Sequence, residues 1–342
     1  MSGGSLEKRI WELLLGPKDR VMIRALSGEK TGPEAARLMT EGIDAERENA
    51  LFLLLLAVIG LRQGWEGFPQ EEVARLKGIH RFFQAKNSAA APGLTAFADL
   101  LDRNGLPFML SGSAAMRAAY ASDTPRMMKR YDVTLPSERF EEGVKLLEEF
   151  KNGAGKDPAG FGESFRIELK RGTPDKRLFS EKSVWDRAAE TVFMNRRVLV
   201  PSREDMLLQL ICVPFGPFMA DEKGPDRVRR LSDILRVSES ASEEKLASAA
   251  RASGLEKVMR LYSAQLTELD PLPEGRPDWS VFMKGPEDGA FLKSMEKACS
   301  MKLEFDRAYG DGSSAPLRRK AALKAARAEA LILTQRRGER DR

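Results

Sequence analysis

Up to about residue 100, apolar residues recur at helical spacing and no strand-like alternation is seen. Residues 6–15 form an amphipathic stretch that stops at Gly16-Pro17, and Gly32-Pro33 breaks the pattern again. Asp44-Ala45-Glu46 places acids where a helix beginning there has its positive end. It leads into the longest apolar run of the chain, the twelve residues 50–61. As a helix that run reaches roughly 18 Å, against about 30 Å of bilayer hydrocarbon, so it predicts a buried core helix and no membrane span. Residues 70–87 predict a further helix.

From residue 88 the punctuation changes. Residues 88–93 read as a linker or tight helix connection. A short helix over 95–104 is closed by Gly105. Residues 106–110 predict a short apolar strand, 114–121 a helix, and the alternating 130–135 a second strand. Ser137 predicts the cap of a helix running to Phe150. A glycine-rich loop follows at 153–162, then a third strand at 164–170 and a hairpin of 191–194 with 197–200 around Asn195-Arg196. From Ser202 the pattern is helical again, broken at Gly254, 271–277 and 310–314. The expectation is an α+β protein with a small mixed sheet confined to about 105–200 between helical N- and C-terminal regions. The segments are 1–94 helical, 95–200 core, 201–312 helical and 313–342 a basic, Ala-rich helix or tail.

Charge narrows the choice of partners. The net charge of +5 comes from the tail: residues 317–342 hold nine Lys or Arg and three acids. The rest of the chain is near neutral, so a nucleic-acid contact would have to be made by 317–342. A solvated terminal helix is the plainer reading of that tail. Cys212 and Cys299 form neither a disulfide framework nor a short-spaced metal pair. With no apolar signal core near Met1, they lead us to expect a cytoplasmic protein. His80 is the one histidine, which excludes multi-histidine metal sites and leaves a Ser-His or Cys-His mechanism a single candidate. Its surroundings read as helix, and packing is the simpler role.

Ser111-Gly112-Ser113 lies where a strand meets a helix. Glycine lets a phosphate approach the backbone there, and the serine hydroxyl and free helix N–H groups can hold its oxygens. Asp132 falls mid-strand twenty residues later, and Glu168 mid-strand in the next alternation. Two strand acids facing a Gly-Ser turn suit Mg²⁺ held against a triphosphate. The same residues admit structural roles. Asp132 can pair with Arg126 or Arg130, Glu168 with its neighbours Arg166 and Lys170, and Ser113 can cap a helix.

The stretch Leu110-Ser111-Gly112, 114–120 ending in Tyr120, Arg126, and Arg130-Tyr131-Asp132-Val133 resembles an uncharacterised branch of the DNA polymerase β-like nucleotidyltransferase superfamily. That family's pattern is Leu-Lys-Gly, a small-residue helix ending in Tyr, an Arg, then Asp-x-Asp. The resemblance extends to the strand around Glu168, to Val184-Trp185-Asp186-Arg187, to Pro201-Ser202-Arg203-Glu204-Asp205 and to Arg229–Ile234, covering about 75–240. Three positions depart from it. Arg130 stands where the family has the first Asp, Ser111 where it has Lys, and Lys170 where it has His.

The resemblance implies a nucleotidyltransferase-type core and transfer of a nucleotidyl group from a nucleoside triphosphate to an unidentified hydroxyl acceptor. Asp132 and Glu168 would be catalytic and hold Mg²⁺, while Gly112, Ser113, Arg126 and Arg130 would contact the nucleotide. Arg130 reverses the charge at the metal position, which predicts ion pairs with Asp132 or Glu168 and supports a second reading, a catalytically degenerate nucleotide-binding or regulatory protein. A third, an abortive-infection-type nucleotidyltransferase toxin, shares the Gly-to-Asp pattern but fits Trp185 and Pro201-Ser202 less well.

Overall fold

A computed structural model describes residues 6–27, 32–40, 50–89, 91–119, 126, 128, 130–153, 166–176, 178–212, 224–239, 241–253 and 255–269, with 279, 292, 293 and 296. The chain is mixed α+β and mostly helical, and among the described residues its strands make one five-stranded sheet. No described helix is long and apolar enough to cross a membrane. The chain forms two compact units, residues 30–209 and residues 1–29 with 210–342.

In the second of these units lie α1 (Leu6–Leu14), α2 (Pro17–Ser27), α11 (Gly224–Ser238), α12 (Glu243–Ala252) and α13 (Glu256–Leu269). Pro17 opens α2, where its missing N–H costs nothing, and the Gly16 N–H donates to Asp19 Oδ2 at 3.1 Å across the first turn. The Trp11 indole N–H donates to the Leu261 carbonyl at 2.9 Å, and its ring meets Tyr262 edge-on at 5.1 Å. Thus α1 is fixed to α13 by one polar and one aromatic contact.

The unit 30–209 holds the sheet. Its helices are α3 (Gly32–Thr40), α4 (Ala50–Gln63), α5 (Gln70–Ala89), α6 (Ala91–Arg103), α7 (Gly112–Ala119), α8 (Phe140–Gly153), α9 (Glu181–Asp186) and most of α10 (Arg203–Cys212). The strands β1 (Met109–Ser111), β2 (Arg130–Leu135), β3 (Arg166–Arg171), β4 (Ala189–Phe193) and β5 (Arg196–Val200) lie in the order β3-β2-β1-β5-β4. The β2–β3 and β1–β5 pairs are parallel, and the β1–β2 and β4–β5 pairs antiparallel. Among the described residues strands occur only within 109–200, as the alternation predicts. The apolar run also behaves as expected: Leu51 to Gly60 of α4 are all buried.

Some boundaries follow the sequence reading and others differ. The break at Gly32-Pro33 falls at the first turn of α3, after α2 has ended at Ser27. Of the two readings of 88–93, a linker or a tight helix connection, the structure has the second, since α5 reaches Ala89 and α6 begins at Ala91. Ser137 makes no side-chain cap. It opens a single 3₁₀ turn, Ser137–Arg139, and its hydroxyl donates to Glu181. The β4–β5 turn sits at Met194-Asn195, one residue earlier than expected. Both residues have positive φ, 52° and 62°, the conformation that matches strand twist in a two-residue hairpin. The expected opening of α4 at 44–46 and the tail 313–342 lie outside the described residues, as does Cys299.

The residues after β3 on which the resemblance was read serve the fold. The Trp185 indole donates to the Gly172 carbonyl at 2.8 Å. Arg187 grips the buried Asp205 through two hydrogen bonds, of 3.1 and 2.7 Å. The Ser202 hydroxyl accepts from the Asp205 N–H at 3.1 Å and so caps α10. His80 is half-buried on α5, its Nε2 3.4 Å from the Gln84 amide nitrogen.

Gly143 of α8 faces β2 so closely that an added Cβ would collide with Leu135 Cδ1 and lie 3.3 Å from Leu106 Cδ2. Gly143→Ala should lower stability by about 1–2 kcal/mol, the overpacking outweighing the better helix propensity. Urea unfolding checks this, and an unchanged or raised midpoint would contradict it.

Candidate functional site

Candidate residues from β2, β3 and the start of α7 meet on the β3 side of the sheet. Strand β1 is only three residues long because the chain must turn into α7 at once, and Gly112 takes φ +53° to do so. The turn also presses against β2: a Cβ on Gly112 would overlap the Asp132 carboxylate. The Thr134 hydroxyl donates to Ser111 Oγ at 2.9 Å, and Ser111 donates to the Asp132 carbonyl at 3.4 Å. Both hydroxyls are buried, so the end of β1 is locked in register with Asp132.

Parallel pairing of β2 with β3 sets Asp132 directly beside Glu168, Arg130 beside Arg166 and Thr134 beside Lys170. Side chains two apart on a strand share a face. One face therefore carries Arg130, Asp132, Arg166, Glu168 and Lys170, while Tyr131 and Val133 are buried on the other. Burial holds the Tyr131 phenol up to about 12.

The charged face is a connected network. Arg130, with its side chain 49% exposed, places Nε 3.2 Å from Asp132 Oδ1 and Nη1 3.1 Å from Glu168 Oε2. Lys170 pairs with Glu168 and lies 4.0 Å from Asp132 Oδ1, while Arg166 Nη2 lies 3.2 Å from Glu168 Oε2. Asp132 is only 9% exposed, and its Oδ1, though ion-paired, is buried without a hydrogen bond. Burial therefore raises the Asp132 carboxyl above its ordinary range, against the pull of Arg130 and Lys170. Glu168 is held below its own range, first by the Lys170 hydrogen bond, with Arg166 and Arg130 adding to it.

Arg126 reaches the same turn from outside the sheet. It is 8% exposed, and Nη1 donates to Ser113 Oγ at 2.9 Å. A residue without any expected role holds it there. The buried Asn87 amide donates to the Arg126 carbonyl at 2.8 Å and accepts from the Met128 N–H at 2.9 Å. Its signal was present in the pattern, since Asn87 continues the buried stripe of Val73, Leu76 and Phe83 on α5, where an apolar residue belongs.

The structure thus brings Gly112, Ser113, Arg126, Arg130, Asp132 and Glu168 around one turn and one sheet face. The donor set does not fit Mg²⁺. Two carboxylates are present, but three cations sit on them, and among the described residues no group of three or more His, Cys, Asp or Glu could hold a metal. No family model, curated protein or solved structure matches the chain.

Two outcomes are expected. Site-resolved carboxyl NMR titration should place Asp132 above its ordinary range and Glu168 below its own. Asp132, with its folded value raised, favours the folded state at low pH and loses that contribution as pH rises through the folded value. Glu168 contributes above its unfolded value and loses the contribution as pH falls through its folded one. Either residue shifting the other way would refute the assigned environments. Asn87→Ala takes this partner from the Arg126 carbonyl and the Met128 N–H and should cost about 1–3 kcal/mol, read by urea unfolding. A change within about 0.5 kcal/mol, the usual range of surface substitutions, would show that the clamp holds nothing.

Proposed function

We propose that the chain is a nucleotidyltransferase-like protein that binds a phosphate-bearing ligand, a nucleoside triphosphate first among candidates, without metal and with transfer chemistry lost. The observation that carries this reading is the Arg130 guanidinium standing between Asp132 and Glu168, 3.2 and 3.1 Å from their oxygens. In the transfer reading a metal ion stands at such an acid pair, activating the acceptor hydroxyl and neutralising the triphosphate. A guanidinium supplies positive charge and planar donors for phosphate but has no open coordination position for an attacking oxygen.

The network of Arg130, Arg166, Lys170, Asp132 and Glu168 has one positive charge in excess, which favours an anion. The Gly112-Ser113 turn adds backbone N–H groups at the start of α7, and Arg126 fixes the Ser113 hydroxyl beside them. In this reading the ligand's phosphates lie along the turn and against Arg130. The Mg²⁺-dependent transferase and the toxin reading both need the acid pair free for metal, and its occupation by Arg130 weighs against both.

Calorimetry with ATP, GTP, CTP and UTP, each with Mg²⁺ and with EDTA, separates these readings. Binding of one or more nucleotides should be at least as tight in EDTA, because Mg²⁺ lowers the ligand charge. Arg130→Gln should weaken that binding roughly tenfold, the scale of one charged hydrogen bond. If no nucleotide binds without Mg²⁺, the metal-free reading falls. Binding only with Mg²⁺, accompanied by pyrophosphate release, would return the transferase reading.

A further inference from the structure

Two of the departures from the family pattern, forty residues apart in the chain, converge on one spot. Arg130 on β2 and Lys170 on β3 both pack on Asp132 and Glu168: Arg130 at 3.2 and 3.1 Å, Lys170 in a close pair with Glu168 and 4.0 Å from Asp132. The parallel register makes this convergence unavoidable. Residue 130 stands two positions before Asp132 and residue 170 two after Glu168, so one cation flanks the acid pair from each side along the same face. We infer that Arg130 and Lys170 together are a built-in replacement for a divalent cation: two fixed positive charges that compensate two carboxylates, close the site to metal, and mask a metal position that opens in part when one is removed and fully only when both are.

Charge and geometry support two locks instead of one. Asp132 and Glu168 carry two negative charges, matched in number by Arg130 and Lys170. With Arg130 alone removed, Lys170 remains paired with Glu168 within reach of Asp132, and Arg166 still lies 3.2 Å from Glu168 Oε2. An incoming cation would then meet a pair already neutralised. With both removed, the buried Asp132 Oδ1, which makes no hydrogen bond, and a Glu168 carboxylate face each other across adjacent strands as oxygen ligands. Among the described residues Arg166 is then the cation left on the pair, and at 71% side-chain exposure it can turn to solvent. The nucleotide reading can fail without touching this inference, since that reading depends on anion binding and this one on metal binding.

The test is a Mn²⁺ titration of the full chain followed by electron paramagnetic resonance, with circular dichroism to verify folding. Wild type should bind no Mn²⁺ that Asp132→Asn abolishes. The double variant Arg130→Ala, Lys170→Ala should gain one Mn²⁺ that a further Asp132→Asn removes. Each single variant should bind more weakly than the double by roughly five- to tenfold, the scale of one unit charge at 4 Å in water-like surroundings. If the alanine pair does not fold, Arg130→Gln with Lys170→Gln keeps the side-chain stems and removes the charges. Asp132-dependent Mn²⁺ binding by wild type would overturn the inference, as would a folded double variant that binds none. Full binding by Arg130→Ala alone would overturn the second lock.

Discussion

Two carboxylates placed side by side on adjacent parallel strands repel each other, and a cation must stand between them if both are to stay ionised on one sheet face. Here that cation comes from the chain itself. The β2–β3 register fixes Asp132 against Glu168, and the same register delivers Arg130 and Lys170 to either side of them. Everything else at the site is built around that pairing. The Gly112 turn closes against Asp132, the Ser111–Thr134 hydroxyl pair holds the turn in line, and Asn87 holds Arg126 at its far side. Such a network resists one-at-a-time change, because removing either acid leaves cations uncompensated and removing a cation leaves an acid in a half-buried place.

The two carboxylates are unequal partners. Asp132 is enclosed between the turn and the strands, so desolvation dominates its environment. Glu168 sits nearer the sheet edge among three cations, so attraction dominates. The same chemical group is thus pushed in opposite directions a strand apart. The difference comes from the order β3-β2-β1, which puts β2 inside and β3 at the edge.

Much of this was legible before the structure. The alternation of 130–135 and 164–170 gave both strands, and period two already placed Arg130 with Asp132 and Glu168 with Lys170. What alternation cannot carry is register. That Lys170 reaches the same acids as Arg130 follows from a parallel pairing that no local pattern encodes. Asn87 was hidden for a related reason, because its partners lie 39 and 41 residues away and a buried polar residue is explained only by what it bonds. The hairpin shifted by one residue because Met194 adopts a positive φ that its side chain disfavours, so propensity pointed to the wrong dipeptide. Trp185, Arg187, Ser202 and Asp205 were read from the sequence only as part of a resemblance, and each holds backbone or helix ends together.

Helix α4 has a consequence for how the sheet-bearing unit behaves when it opens. From Leu51 to Gly60 it offers no polar side chain on any side, and all ten positions are buried. A helix of that kind has no water-facing surface to fall back on, so it cannot persist half-docked. Opening large enough to uncover it exposes a continuous adhesive cylinder, and chains caught in that state meet one another as readily as their own unit.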